Sequence, residues 1–102
     1  MITISQAPKH RWKPDEDLVA LYLSRHGCRF LPMTQAGIAQ ILGVKEGSFG
    51  MRQDNFAYLD GRRGLENAAE QSREIHRRYG QLKEPELRAL ILQVLEERNA
   101  QS

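Results

Sequence analysis

The chain holds a single cysteine, Cys28, in 102 residues. That excludes an internal disulfide and suits a reducing compartment, the cytoplasm by expectation. With no partner thiol, Cys28 is expected as a small, buried or half-buried residue rather than a reactive centre. Also missing is any apolar run near the ~18 residues that would suggest a membrane span. The opening stretch MITISQAPKHRWK has no apolar segment of signal-peptide kind, so the expectation is a protein kept inside the cell, with no membrane partner. A large excess of one charge is absent too: 15 Lys and Arg stand against 13 Asp and Glu, a net +2. The total therefore makes no electrostatic case for nucleic acid. Its distribution says a little more. Residues 1–63 hold nine basic and six acidic side chains, and residues 64–102 hold six and seven. The surplus gathers in Lys9, Arg11 and Lys13 ahead of the first helix and in Arg62 and Arg63.

Catalytic constellations are missing as well. His10, His26 and His76 fall on separate segments, and none has a second ligand three or four residues away, so metal-assisted hydrolysis has no ligand set. Gly43, Gly47 and Gly50 follow no strand and lead to no P-loop lysine. His26 and Cys28 are close in sequence, but an activated thiol needs a spatial arrangement that spacing alone does not supply. The expectation is a non-enzyme with no cofactor and no metal.

What the sequence does contain is helical periodicity. Lys13-Pro14 opens a first helix, with Asp15, Glu16 and Asp17 in the turn where the helix dipole favours acids. Leu18, Leu21, Tyr22 and Arg25 form its stripe, Val19 and Leu23 widen it, and Gly27 ends it. Residues 27–33 connect, with Phe30, Leu31 and Met33 expected to fold back as core. Thr34 caps a second helix running to Leu42. A third is expected from Gly47 or Ser48, capped near Ser48, to Leu59, with Phe49, Phe56 and Leu59 inward. The fourth is expected from Leu65 to Tyr79, its paired Ala68 and Ala69 allowing close helix approach. The fifth opens at Glu84-Pro85-Glu86 and carries the cleanest repeat, Leu87, Leu90, Ile91, Val94 and Leu95. The pattern predicts one all-α domain of about five helices over residues 14–100, preceded by an arm over residues 1–13 with a short extended piece at Ile2–Ile4.

Residues 34–60, TQAGIAQILGVKEGSFGMRQDNFAYLD, carry the functional expectation. Two short helices joined by a glycine-led turn form the arrangement that presents a second helix to a DNA groove. Ile38, Ala39, Leu42, Gly43, Val44 and Phe49 fit that pattern; the late apolar position does not, because Arg52 occupies it. A plain helical hairpin remains the alternative. On the DNA reading, Lys45 and Ser48 lie at the start of the recognition helix, where backbone N–H groups also face phosphate. Arg52, Gln53 and Asn55 have side chains suited to base edges. Asp54 would have to face away or pair with an arginine. Arg62 and Arg63 could grip the backbone beside the groove, and Arg11 and Lys13, with Lys9, could do so as an arm. Arg77 and Arg78 are expected to pair with Glu74 or Glu70, His76 to lie at the surface, and Trp12 to act as a core lid.

Several of these motifs together resemble a known family. Trp12 before the acidic start and DLVALYL, then SFGMRQDNFAYLDG, then GLENA and Arg73-Glu74-Ile75, look like the N-terminal domain of predicted HNH-type restriction endonucleases. The likeness covers about residues 11–79, with Asn55-Phe56, Leu59-Asp60 and Gly64-Leu65 in the same order. It implies double-stranded DNA recognition, in regulation or in targeting. No nuclease motif accompanies it here, so cleavage is not implied. The rival expectation is a protein-interaction adaptor on the same fold, joining another chain, such as a separately encoded nuclease, through the last helix; the stripe of that helix is otherwise expected as ordinary core or a homodimer seam.

Overall fold

The computed structural model describes residues 10–62 and 68–101. The expected extended piece at Ile2–Ile4, Lys9, Arg63 and Leu65 lie outside the described residues. Five helices occur in order, with no strand among the described residues: α1 Pro14–His26, α2 Gln35–Leu42, α3 Glu46–Leu59, α4 Glu70–Tyr79 and α5 Glu84–Ala100. The all-α class is as the periodicity predicts.

α1 is the central element. Its residues Val19, Ala20, Leu21 and Tyr22 are fully buried, and α3, α4 and α5 all pack against it. α5 supplies Leu87, Ile91 and Leu95 to the same core, and α3 supplies Phe49 and Phe56. Burying one such side chain contributes roughly 1.5–3 kcal/mol. The apolar stripe of α5 is thus core: Leu90 and Val94 are half-buried against it. Of the expected roles for this stripe, ordinary core is the one seen, because α1 and α2 cover it.

The two helices and the glycine turn between them form as their residues demand. Thr34 accepts a bond from the Gly37 N–H at 3.1 Å, capping α2. Gly43 takes the left-handed conformation, φ 73 and ψ 32, so the Val44 N–H reaches the Ala39 carbonyl at 2.9 Å and the Gly43 N–H the Gln40 carbonyl at 3.2 Å. This closes the orphan carbonyls of α2 and turns the chain sharply into α3. Ile38, Ala39 and Leu42 are buried beneath the turn.

Several boundaries differ from expectation. α3 begins one or two residues earlier, at Glu46, with Lys45 extended before it; Ser48 is inside the helix and caps nothing. α4 begins at Glu70, so Ala68 and Ala69 precede it instead of lining a helix crossing. Ala68 is buried, and its carbonyl accepts from Arg73 Nε at 3.3 Å. Phe30 does not fold back as core: it is 48% exposed, while Leu31 and Met33 are half-buried. The left-handed Gly27 diverts the chain away from the α1 stripe before Phe30 is reached.

Candidate interaction surface on the helix-turn-helix

The position that departs from the pattern organises the site. Arg52 on α3 points inward, to Asp17 of α1, which is fully buried. Arg52 Nε donates to Asp17 Oδ1 and Arg52 Nη2 to Oδ2, both at 2.7 Å. Gln71 Nε2 adds a bond to Oδ2 at 2.6 Å and Ser72 Oγ one to Oδ1 at 3.0 Å. Two donors on each oxygen satisfy the carboxylate, which makes its burial tolerable. The guanidinium also lies 5.1 Å from the Trp12 ring centroid, and Trp12 in turn stacks on Phe49 at 6.2 Å. Trp12 is the core lid expected of it.

The Arg52 guanidinium, expected at a base edge, is engaged with Asp17 instead. The pattern places an apolar residue at that position; here a paired arginine holds α3 to α1, with Phe56 buried beside it in the core and Met51 exposed. Asn55 also faces the interior, toward Ser72 Oγ at 3.5 Å. Gln53 is half-buried, with its Nε2 enclosed and without a hydrogen-bond partner. None of the three stands on an open helix face.

A second ion cluster closes the far end of α3. Asp60, just past the helix, accepts from Arg25 Nε and Nη2 of α1, each at 2.8 Å. His76 Nε2 lies 2.8 Å from the same carboxylate, and Arg62 Nη2 donates to it at 3.2 Å. The Arg25 guanidinium, followed by the bond to His76, holds the Asp60 carboxyl well below the usual carboxylate range against the opposing effect of burial. His76 is thus a bridging residue, not the surface residue expected. Arg62 also reaches Ser24 Oγ at 2.8 Å, which ties its guanidinium beside α1. At the start of α1, Glu16 is buried and accepts from the Lys13 N–H at 2.9 Å and from Arg98 Nη2 at 2.8 Å, with His10 Nε2 2.7 Å away.

What remains outward on α3 is a different strip. Glu46, Gly47, Ser48 and Met51 are exposed, and Gly50, Asp54 and Tyr58 are half-buried. Met51 is 73% exposed, more than Phe30, the other exposed large hydrophobic side chain among the described residues. A Cβ built at Gly47 or Gly50 would meet nothing within 4 Å, so this strip is open. Lys45 and Ser48 are exposed at its start, and Arg11 and Lys13, both exposed, flank Trp12. The structure thus leaves Lys45, Ser48, Arg11 and Lys13 accessible, ties Arg62, and encloses Arg52, Gln53 and Asn55 wholly or in part.

Cys28 is half-buried, and burial pushes its thiol up, away from a reactive thiolate. Burial lowers the His26 imidazole, whose ring tilts against Tyr22 at 5.0 Å. Burial first, and then the bond to Glu84, raise the Tyr22 phenol far above its usual range. Among the described residues no group of His, Cys, Asp and Glu is arranged to hold a metal. No helix there is long and apolar enough to cross a membrane. Arg77 and Arg78 pair with Glu74 on an exposed face, as expected.

Comparison with known proteins finds no matching family model, no matching curated protein and no matching solved structure.

Proposed function

We propose that the chain is a protein-interaction adaptor, a helix-turn-helix scaffold that offers the outward strip of α3 to a partner protein. The observation that carries this reading is the composition of that strip. Its cation is turned inward onto Asp17, leaving Glu46, Gly47, Gly50, Met51 and Asp54 outward. Glu46, exposed at the start of a surface meant for a groove, would oppose the phosphates that supply most of the affinity for duplex DNA. An exposed methionine beside two glycines suits a protein surface: methionine adapts to irregular apolar partners, and glycine lets a second backbone approach closely. The resemblance to endonuclease N-terminal domains is compatible with a nuclease as that partner.

Duplex DNA remains a second reading, favoured by one observation. Lys45 and Ser48 at the α3 start and Arg11 and Lys13 beside Trp12 are all exposed, a set suited to phosphate contact without base readout.

The two readings separate in one titration. Fluorescence anisotropy with a random-sequence duplex, run at several salt concentrations, should show no salt-sensitive binding if the chain is an adaptor. A steep loss of affinity with salt, reduced by Lys45→Ala and Arg11→Ala, would replace the adaptor reading with the DNA reading. Peptides selected from a displayed random library should bind the wild-type chain, lose binding to Met51→Glu and keep it to Lys45→Ala. Selected peptides indifferent to Met51→Glu would overturn the α3 assignment.

A further inference from the structure

The connection between α1 and α2 holds a second surface, sharing no residue with the outward strip of α3. Phe30 is 48% exposed there, although solvent disfavours so large an apolar ring. Two guanidiniums lie over the ring, Arg29 Cζ at 5.1 Å and Arg88 Cζ at 5.6 Å from its centroid. They come from different elements, one beside Phe30 in the connection and one from α5. A guanidinium laid against an aromatic ring is held by its face, so its planar edge of N–H donors is left to grip a carboxylate.

Local acids do not neutralise the pair. Arg88 Nε lies 3.2 Å from Glu84 Oε2, and that same oxygen accepts the Tyr22 hydroxyl at 2.6 Å, so this carboxylate is shared. Arg29 is exposed and has no carboxylate partner among the described residues. A positive surplus therefore surrounds an aromatic platform. The residues that follow in the same connection line an open recess of about 620 Å³, mostly apolar, formed by Cys28, Leu31, Pro32, Met33, Thr34 and Gln35.

We propose that this edge binds an acidic segment of a partner protein, its carboxylates on Arg29 and Arg88 and an aliphatic side chain in the recess. The proposal rests on the adaptor reading only in taking a protein as the partner. Charge complementarity selects the acid, and the apolar wall selects the aliphatic neighbour. A nucleic-acid strand is the poorer occupant. The ring on which a base would stack is already covered by guanidiniums, and the recess offers apolar walls where a strand needs donors along its backbone.

The test titrates the full, isotopically labelled chain with three probes: a short peptide of glutamates around a central leucine, the same peptide with lysines, and a short thymidine oligonucleotide. The acidic peptide should shift the amide resonances of residues 28–35 and the Arg88 side chain, with an effect that fades as salt rises. Arg29→Glu, a change at an exposed position that should not disturb the fold, should weaken that binding about tenfold or more. Phe30→Ala should weaken it as well by removing the platform. Met51→Glu should leave it unchanged, so that failure at the α3 strip and failure here are told apart. Equal shifts from the lysine peptide or the oligonucleotide, no shifts from the acidic peptide, or indifference to Arg29→Glu would each overturn the proposal.

Discussion

Replacing Arg52 with alanine should destabilise the fold strongly, because the change strands a buried acid. Asp17 has no exposed side-chain surface, and Arg52 is only 13% exposed. Alanine removes both 2.7 Å bonds from the carboxylate, leaving it only Gln71 and Ser72. Breaking a buried pair from one side costs about 3–5 kcal/mol. Loss of the stack on Trp12 adds about 0.5–1 kcal/mol. A domain of this size has about 5–15 kcal/mol in all, so the lower end of that range would be nearly consumed. Asp17→Ala should cost less, because a guanidinium near the surface can turn toward water. Removing both charges together, with Asp17→Leu and Arg52→Met, should recover much of the loss, since apolar replacement of a buried pair is often close to neutral. Urea unfolding followed by helical circular dichroism and by Trp12 fluorescence measures Arg52→Ala and Asp17→Ala, and also the full cycle of wild type, Asp17→Leu, Arg52→Met and the double variant. The reasoning fails if Arg52→Ala costs under about 1 kcal/mol, or if the double variant is no more stable than the sum of the singles predicts. An arginine that served only as a base contact would show that small cost.

Gly43→Ala places a Cβ at φ 73 and should destabilise by about 1 kcal/mol, read as a lower urea midpoint at unchanged slope. Thr34→Ala should cost about 1 kcal/mol through loss of the α2 cap, and a cost near zero would mean that water replaces the hydroxyl. Asp60 has its folded pKa depressed, chiefly by Arg25, so its stabilising contribution is full above the ordinary carboxylate range and is lost as pH falls below about 4. Asp60→Asn should therefore flatten the acid limb of a stability–pH curve and leave its neutral limb parallel to the wild type. His26 has its folded pKa lowered by burial, so the neutral ring is favoured by folding, and this contribution fades as pH drops below about 6.5. His26→Gln should reduce the loss between neutral and mildly acid pH; an unchanged difference across that interval would contradict the burial argument.

The helices were legible because their signals are local. Prolines at 14 and 85, acids in the first turns, the Thr34 cap and Gly43 each act within one turn, and the matching boundaries fall where they stand. The core was legible for the same reason, since period alone puts Leu87, Ile91 and Leu95 on one face. The ion clusters were not. Asp15, Glu16 and Asp17 fit the helix-dipole rule so well that nothing nearby suggests a tertiary role. Yet Asp15 and Glu16 meet Arg98, and Asp17 meets Arg52, at separations no local pattern spans. One signal was available: an arginine at the position where α3 should carry an apolar residue asks for a buried acid on a facing helix. His76 had no such flag, because its link to Asp60 depends on how α4 is placed. Phe30 was misplaced because composition gives no hint of the direction a glycine-led connection takes.

The two clasps between α1 and α3 explain why charge, rather than apolar packing alone, joins these helices. At one end an acid of α1 meets an arginine of α3, Asp17 with Arg52; eight residues further along each chain the signs reverse, Arg25 with Asp60. The sequence offset is 35 residues in both pairs, so the two segments run side by side in the same direction. Turned end for end, Asp17 would face Asp60 and Arg25 would face Arg52, like charges in a half-buried seam. A slide by one turn would leave buried groups unpaired, at several kcal/mol each. Apolar residues at these positions would hold the helices as firmly but would tolerate both errors. The exchanged charges thus specify one register, and that register turns Arg52 inward and leaves Met51 and the glycines of α3 in solvent. On this account the composition of the outward strip follows from how α3 is anchored, because the helix has no other arginine or lysine to present once Arg52 is engaged.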